Sequence, residues 1–340
     1  MGFRHLGFIF FGLLLLTSCD TKNDRHRDIS ALNISPKISR FDQAIFAVQT
    51  EEDVQQVKYK FQPFASLYIH RQLTLNDSLQ QTDLEKIKQF SQDPYVRLIQ
   101  EEINRQYPDK ESISKWVKEP LTYVHLYFPQ LPIPEIITAN SLLNPDYVHS
   151  LMIDSSKMVV FLDQHLGDHF AGYDSAGYFQ YMQHKMNAEN LARNVLLRMY
   201  DTYWGGEGLN PELNLLHAMI EQGKRYYFLE YMMPNAKDSL IAGFSNHEWE
   251  WCRLSEKQIW QFFNDKDLLY RVNFMEQKRY LQNGPGSPNM PEDAPGNIGS
   301  WIGWQIVRHF MKIHKNDLTL QQLLLLPPSE IFNKSNYKPH

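Results

Sequence analysis

The sequence contains little cysteine and no excess of positive charge. Its 340 residues include two Cys, 16 Gly and 18 Pro, and 34 Lys and Arg stand against 39 Asp and Glu. So few cysteines exclude a disulfide-stapled miniprotein, and the Gly and Pro content excludes collagen-like and low-complexity linker proteins. A net charge of −5 without a basic block argues against a general nucleic-acid-binding protein. With 43% hydrophobic residues, the chain is typical of a globular protein with a large core.

A hydrophobic run lies near the N-terminus, from Leu6 to Leu16. At about 11 residues it is shorter than the roughly 20 that a transmembrane helix needs, and it follows Arg4, as in a secretory signal peptide. The run ends in Leu-Thr-Ser-Cys, which resembles the lipobox of bacterial lipoproteins. We therefore predict a signal peptide over residues 1–18, cleavage between Ser18 and Cys19, and acyl chains such as palmitate on a lipidated Cys19. The alternative is an ordinary signal peptide in which this cysteine is incidental.

The rest of the chain divides into a polar tether and one folded region. Residues 19–35 contain the lipidated Cys and the tether, and residues 36–340 are predicted to form a single globular domain. The periodicity is helical over 51–128 and again from 176 onward. Short β-branched segments at 134–140, 147–153 and 157–163 predict strands, and residues 38–42 open either a strand or a helix.

These patterns predict an α+β fold that is predominantly helical, with one small mixed or largely antiparallel sheet. No Gly-rich turn follows any predicted strand, which excludes a Rossmann or P-loop nucleotide site. In the C-terminal half we predict helices and one long loop, in the order 188–203, 211–233, 246–270, loop 281–296, 298–314 and 318–326, with Asp317 as a cap of the last helix.

No sequence motif provides a complete metal site. The string His-Glu-x-x-His, which places two zinc ligands and a general base on one helix, does not occur. His247 is followed by Glu248, but Ser245 and Glu248 have the spacing of a helix capping box. His165 and His169 are four residues apart but directly follow a strand, so a shared helical face is not expected there.

A polar stripe crosses the otherwise apolar helix at 211–233. It consists of Asn214, His217, Glu221 and Lys224, with Arg225 beside it. Glu221 can pair with Lys224 or Arg225 at i+3 or i+4, which makes the stripe a structural ion-pair network. The alternative is a vestigial pocket wall at His217 and Glu221. We predict no catalytic residue, no bound metal and no cofactor.

Two further features are interpreted as structural. Gly299 and Gly303 are four residues apart at a helix start, which favours close approach of a neighbouring backbone. The free amides of that helix start provide an alternative, anion-binding interpretation. Cys252 lies in an aromatic stretch and is predicted to be a buried, unreactive thiol.

In the C-terminal third, five segments carry a family pattern, at 251–253, 258–263, 299–308, 320–324 and 331–339. Together with the lipobox, these segments closely resemble the gliding motility lipoprotein GldB family of Bacteroidetes. The resemblance extends over essentially the whole chain. It implies an envelope lipoprotein that is needed for gliding in motile relatives and is associated with the secretion and motility machinery.

GldB-like proteins are also distantly similar to predicted zinc peptidases, which implies a degenerate zincin-like fold. In those peptidases a His-Glu-x-x-His helix precedes a helix with a third, Glu ligand. The corresponding order here is the helix at 188–203, which contains no His, followed by Glu221.

The expected protein is therefore a non-enzymatic pseudo-enzyme. It is expected to be anchored by lipid in the cell envelope, at the outer membrane, and to contact envelope protein partners. Two alternatives remain. One is a periplasmic zinc-peptidase-like hydrolase with a site near His217 and Glu221. The other is a binding module that presents loop 281–296 to an envelope partner.

Overall fold

The computed structural model describes residues 25–73, 81–144, 150–205 and 209–339. The predicted signal peptide, its cleavage position and Cys19 lie outside the described residues. Among the residues that are described, no helix combines the length and the apolar character needed to cross a bilayer.

Six helices precede most of the sheet. Their bounds are Phe41–Phe46 (α1), Glu51–Lys60 (α2), Phe64–Gln72 (α3), Asp83–Gln92 (α4), Pro94–Gln106 (α5) and Glu111–Tyr127 (α6). Thr50 and Thr82 begin α2 and α4 with capping boxes, because each hydroxyl accepts from the third helical N–H and an acidic side chain returns the bond. Asp93 caps α5 directly before Pro94, the position where proline costs no hydrogen bond.

One mixed sheet lies between the layer of helices α1–α5 and the layer formed by α6 and the C-terminal helices. Its strands are Ile38–Arg40 (β1), Glu135–Ala139 (β2), Ser150–Asp154 (β3) and Lys157–Phe161 (β4), in the order β1-β2-β4-β3. The β1–β2 and β2–β4 pairs are parallel, and the β3–β4 pair is antiparallel. The predicted α+β class with a small mixed sheet is confirmed. The largely antiparallel alternative does not hold, because two of the three strand pairs are parallel.

The sheet is buried on both faces. Residues alternate along β2 and β4, so Ile136, Met158 and Val160 face one hydrophobic cluster, and Ile137 and Val159 face another. The second cluster is formed with the N-terminal helices α1–α5. The first is the larger and includes residues of α6 and most of the C-terminal helices. The sheet therefore joins two layers of helices.

The predicted C-terminal helices occur in the predicted order, with three corrections, and the structure adds helices that were not predicted, among them those at 274–281 and 328–335. Their bounds are Gly172–Ser175 (α7), Gln180–Gln183 (α8), Glu189–Trp204 (α9), Leu215–Met232 (α10), Asp238–Ala242 (α11), Asn246–Leu254 (α12), Glu256–Asp265 (α13), Phe274–Leu281 (α14), Ile298–His314 (α15), Leu320–Leu325 (α16) and Pro328–Ser335 (α17). The helix predicted over 246–270 is two helices separated at Ser255. The helix predicted from 211 begins at Leu215, capped by Asn214, and α16 is capped by Thr319 rather than by Asp317.

The central contact of the C-terminal layer is the packing of α10 against α15. A methyl group added at Gly303 would overlap the carbonyl oxygen of Met219, and one added at Gly223 would overlap the backbone of Gly303. The two helix backbones therefore touch. Close approach at Gly299 and Gly303 is confirmed, and Gly223 is its partner on the facing helix.

Replacing Gly303 by Ala is expected to destabilise the fold. Alanine improves helix propensity by about 1 kcal/mol, but it forces two backbones apart, and overpacking costs about 1–3 kcal/mol or more. Because the contact is with backbone rather than a flexible side chain, we expect a net loss of about 2 kcal/mol in the free energy of unfolding, measured by urea titration. The control is Gly284→Ala, where the nearest atom would be 3.6 Å away. A Gly303→Ala protein as stable as this control would contradict the close packing.

Candidate functional site

His217 and Glu221 lie one turn apart on α10. Asn214 caps this helix by accepting a hydrogen bond from the backbone N–H of His217 at 2.9 Å. Lys224 Nζ donates to Glu221 Oε1 at 2.9 Å, so the predicted ion pair is confirmed. Burial lowers the pKa of the His217 imidazole, and the charge of Glu221 partly offsets this shift. Arg225 binds Asp201 instead, at 2.7 Å.

This arrangement does not fit a zinc site. Zinc takes three or four protein ligands. Here the Glu221 carboxylate is paired with the ammonium group of Lys224, and His217 provides one imidazole beside it. Within residues 25–73, 81–144, 150–205 and 209–339, no group of three or more His, Cys, Asp or Glu side chains is arranged to hold a metal ion.

The other residues singled out in the sequence are not brought together. His165 is fully buried, whereas the side chain of His169 is 98% exposed, so the two cannot share a ligand. Ser245 and Glu248 form the predicted capping box at the start of α12. Cys252 is a free and fully buried thiol, as predicted, and burial raises its pKa.

A buried polar network, which sequence reasoning missed, covers the carboxyl ends of the parallel strands. Arg40, at the end of β1, donates to both carboxylate oxygens of Asp42 at 2.6–3.2 Å and to the carbonyl oxygen of Tyr107 at 2.6 Å. Asp163, directly after β4, accepts from the backbone N–H groups of Ser141 and Leu143 at 2.8 Å. These bonds satisfy charges and backbone groups that the sheet leaves unpaired.

His165 connects this network to α9. Its Nδ1 lies 2.9 Å from the carbonyl oxygen of Phe161, which requires an N–H there, so Nε2 accepts from Asn194 Nδ2 at 3.0 Å. The hydroxyl of Tyr107 donates to the His165 carbonyl oxygen at 2.7 Å. Burial lowers the pKa of His165 to about 4. The ring is therefore a neutral structural link.

This pKa predicts a specific loss of stability in acid. Between pH 6.5 and 4 the unfolded His165 binds a proton that the folded one does not, so stability falls as the pH decreases through this window, by up to about 3 kcal/mol. Replacing His165 by Gln keeps a donor and an acceptor but removes the titration. Urea titrations at pH 7 and pH 4 should show a smaller pH effect in His165→Gln; equal pH effects in both proteins would contradict a neutral buried imidazole.

A cleft of about 620 Å³ opens at the other end of α10 from His217. It lies between α6, the start of α9, the end of α10, α11 and the start of α12, with Met232 on its wall. His217 and Met232 are separated by about 22 Å along the helix axis, at 1.5 Å per residue. The cleft is therefore distinct from the pocket predicted at His217 and Glu221.

Lys185 is the most perturbed ionisable group that lines the cleft. Burial and the neighbouring positive charge of Arg193 lower its pKa to about 7, against an opposing effect of Glu248. Its Nζ donates to Asn283 Oδ1 at 2.8 Å, which joins the cleft to the loop before α15. Perturbed groups in clefts are candidates for functional residues. The segments that meet here are distant in sequence and share no spacing, so no local signal indicated this site.

Lys185 is expected to react with acylating reagents ahead of exposed lysines. At pH 7 about half of its amine is neutral, whereas an exposed lysine with a pKa near 10.4 is roughly 0.04% neutral. Partial burial of Lys185 reduces this advantage, so we expect at least tenfold faster modification than at Lys118 or Lys312. Limited acetic anhydride treatment with peptide mass spectrometry measures it. Equal rates at all three lysines would show that the pKa of Lys185 is not lowered.

Comparison with known proteins adds a family assignment. The family described as gliding motility protein GldB matches residues 22–339. No curated protein and no solved structure matches the chain.

Proposed function

The chain belongs to the gliding motility protein GldB family, and on this premise we propose that it is a lipid-anchored envelope protein that supports gliding motility. It acts through contacts with other envelope proteins, in the gliding machinery or the secretion machinery associated with it. The observation that carries the proposal is the family match, which extends over nearly the whole chain. The lipobox-like sequence at residues 16–19 directly precedes the matched region.

Contacts of the N-terminal segment with the body limit how far an anchor at Cys19 would lie from it. Arg25 Nη1 donates to Glu230 on α10 at 2.7 Å, and the carbonyl oxygen of Arg27 accepts from the hydroxyl of Tyr123 on α6 at 3.1 Å. Ile29 packs against the large core cluster. The tether predicted over residues 19–35 is therefore held against the body from Arg25 onward. We call the contacts of Arg25 with Glu230 and of Arg27 with Tyr123 the dock. Only residues 20–24 separate a lipidated Cys19 from it, and these residues can bridge at most about 20 Å.

This geometry gives the anchored protein a defined orientation. Glu230 is 4% exposed and also accepts from Arg308 on α15 at 2.6 Å and from the indole N–H of Trp304 at 2.8 Å. The dock is therefore part of the body and not a loose surface contact. We propose that residues 36–340 form one globular body whose α10–α15 side lies next to the membrane, and that this membrane is the outer membrane.

We also propose that the body acts without catalysis. The alternative, a zinc-peptidase-like hydrolase near His217 and Glu221, is not favoured, because Glu221 is paired with Lys224. Stoichiometric zinc in the purified protein that is lost in Glu221→Ala, together with chelator-sensitive peptidase activity, would support the alternative instead.

Replacing Cys19 by Ser is expected to release the protein from membranes. Serine cannot form the thioether to diacylglycerol, and the remaining chain has no acyl group to hold it at the bilayer. Membrane fractionation and intact-mass spectrometry should show an acylated, membrane-bound wild-type protein that lacks residues 1–18. Cys252→Ala is the matched control, because it removes the other cysteine and should remain anchored. A wild-type protein without the mass of acyl chains at Cys19 would contradict lipid anchoring, whereas retained Cys19→Ser would do so only if its mass shows that residues 1–18 have been removed.

Deletion of the gene tests the role in the envelope. The secreted and outer-membrane proteomes should change, and in a gliding host surface spreading should be lost and restored by wild-type protein but not by Cys19→Ser. Unchanged proteomes and spreading would refute the proposed role while leaving the lipid anchor unaffected.

A further inference from the structure

A group of exposed hydrophobic side chains lies between α13 and α14. The exposed fractions of Tyr270, Val272, Phe274 and Met275 are 64%, 63%, 36% and 58%. No other six consecutive residues within the described ranges expose four large hydrophobic side chains. We call residues 270–275 the apolar tip. Clustered exposed apolar side chains mark a surface that contacts a partner or a membrane.

The apolar tip is fixed to the body on both sides. Leu269 directly before it and Leu281 at the end of α14 are buried in the large core cluster. The carbonyl oxygen of Arg271 accepts from the backbone N–H of Leu215, at the start of α10, at 3.0 Å. The side chain of Asn273 caps α14. The exposed side chains are therefore carried by an ordered backbone that is attached to the start of α10.

The charge at the apolar tip is positive, although the whole chain has a net charge of −5. Residues 270–279 contain three cations and one acid, namely Arg271, Lys278, Arg279 and Glu276, and two further acids precede the tip at positions 265 and 267. Lys278 Nζ lies 4.9 Å from the centroid of the Phe274 ring, so a cation and an aromatic side chain share one surface. Such a surface attracts anionic lipid head groups.

The composition of the apolar tip favours a bilayer over a protein partner. Tyrosine and phenylalanine suit the boundary between head groups and acyl chains, because aromatic side chains are enriched there. Lysine and arginine place their aliphatic stems along apolar surface and keep their charges among the head groups. Protein–protein interfaces, by contrast, are depleted in lysine.

The apolar tip and the dock lie at opposite ends of α10. Leu215, which binds Arg271, and Glu230, which binds Arg25, are separated by about 22 Å along the helix axis, at 1.5 Å per residue. The helix that follows the tip, α14, packs against both α10 and α15. The tip therefore belongs to the same side of the body as the dock. If α10 lies along the bilayer, both of its ends reach the membrane.

We propose that the apolar tip inserts into the surface of a bilayer that contains anionic phospholipid, as a second membrane contact beside the lipid anchor. The proposal rests on the lipid anchoring proposed above, which brings the body to the bilayer. A single attachment through residues 20–24 leaves the body free to rotate. Two contacts at opposite ends of α10 hold this helix approximately parallel to the membrane.

The test uses the lipidated full-length protein in vesicles of phosphatidylethanolamine and phosphatidylglycerol. Val272→Cys is labelled with a fluorescent maleimide, and lipids that carry a nitroxide on the upper acyl chain are the quenchers. Tyr59→Cys is the matched control, because Tyr59 is 77% exposed on α2, in the opposite layer of helices. We expect at least threefold stronger quenching at position 272 than at position 59. Unsubstituted protein gives the background, since Cys252 is fully buried.

Equal quenching at the two positions would overturn the proposal. A photoreactive label on Val272→Cys in whole cells separates a bilayer from a protein partner: phospholipid adducts would support insertion, and adducts with protein alone would overturn it. Met275→Cys provides a second probe position, with the same expected result, if Val272→Cys does not fold.

Failure of the anchor is detected separately, as a missing acyl mass at Cys19. A protein without acyl chains can be added to the same vesicles, and quenching at position 272 then still decides the proposal. Quenching would support insertion even though the anchor is refuted, and its absence would overturn insertion as well. An acylated protein that floats with the vesicles but shows no quenching at position 272 would refute the tip contact alone.

Discussion

The contact between the backbones of α10 and α15 is the constraint on which the C-terminal layer depends. With glycine at 223 and 303, the two helices approach until Met219 and Gly303 touch through main-chain atoms. This spacing lets Trp304 and Arg308 of α15 reach Glu230 on α10. Glu230 in turn holds Arg25. A wider helix pair would lose this buried ion network and, with it, the dock of the N-terminal segment.

The sheet explains why the usual location of a ligand site is closed in this protein. Ligands of open α/β sheets bind beyond the carboxyl ends of parallel strands. Here that edge is filled by the Arg40–Asp42 pair and by Asp163, all buried and hydrogen-bonded within the chain. The open cleft lies instead where several helices end, beside α9 and α11. Its position follows from helix packing and not from the topology of the sheet.

The sequence predicted local features of the fold but not the contacts between distant segments. The capping box at Ser245, the spacing of Gly299 and Gly303 and the pairing of Glu221 with Lys224 each depend on residues within four positions of one another. The helix that Gly303 packs against, and Gly223 on it, lie about 80 residues away and were not predicted. The parallel pairing of β1 with β2 joins segments almost a hundred residues apart, through a strand of only three residues. The cleft combines Trp116, Lys185 and Gly243 from different parts of the chain, so only the tertiary structure brings its chemistry together.

Because Cys252 is fully buried, the reactivity of its thiol reports whether the body is folded. The thiol is enclosed, and its raised pKa keeps it in the unreactive protonated form, so oxidants and metals do not reach it while the core is closed. Alkylation at this position would require the surrounding helices to separate. The rate at which a maleimide labels Cys252 in living cells would therefore report how often the folded body opens.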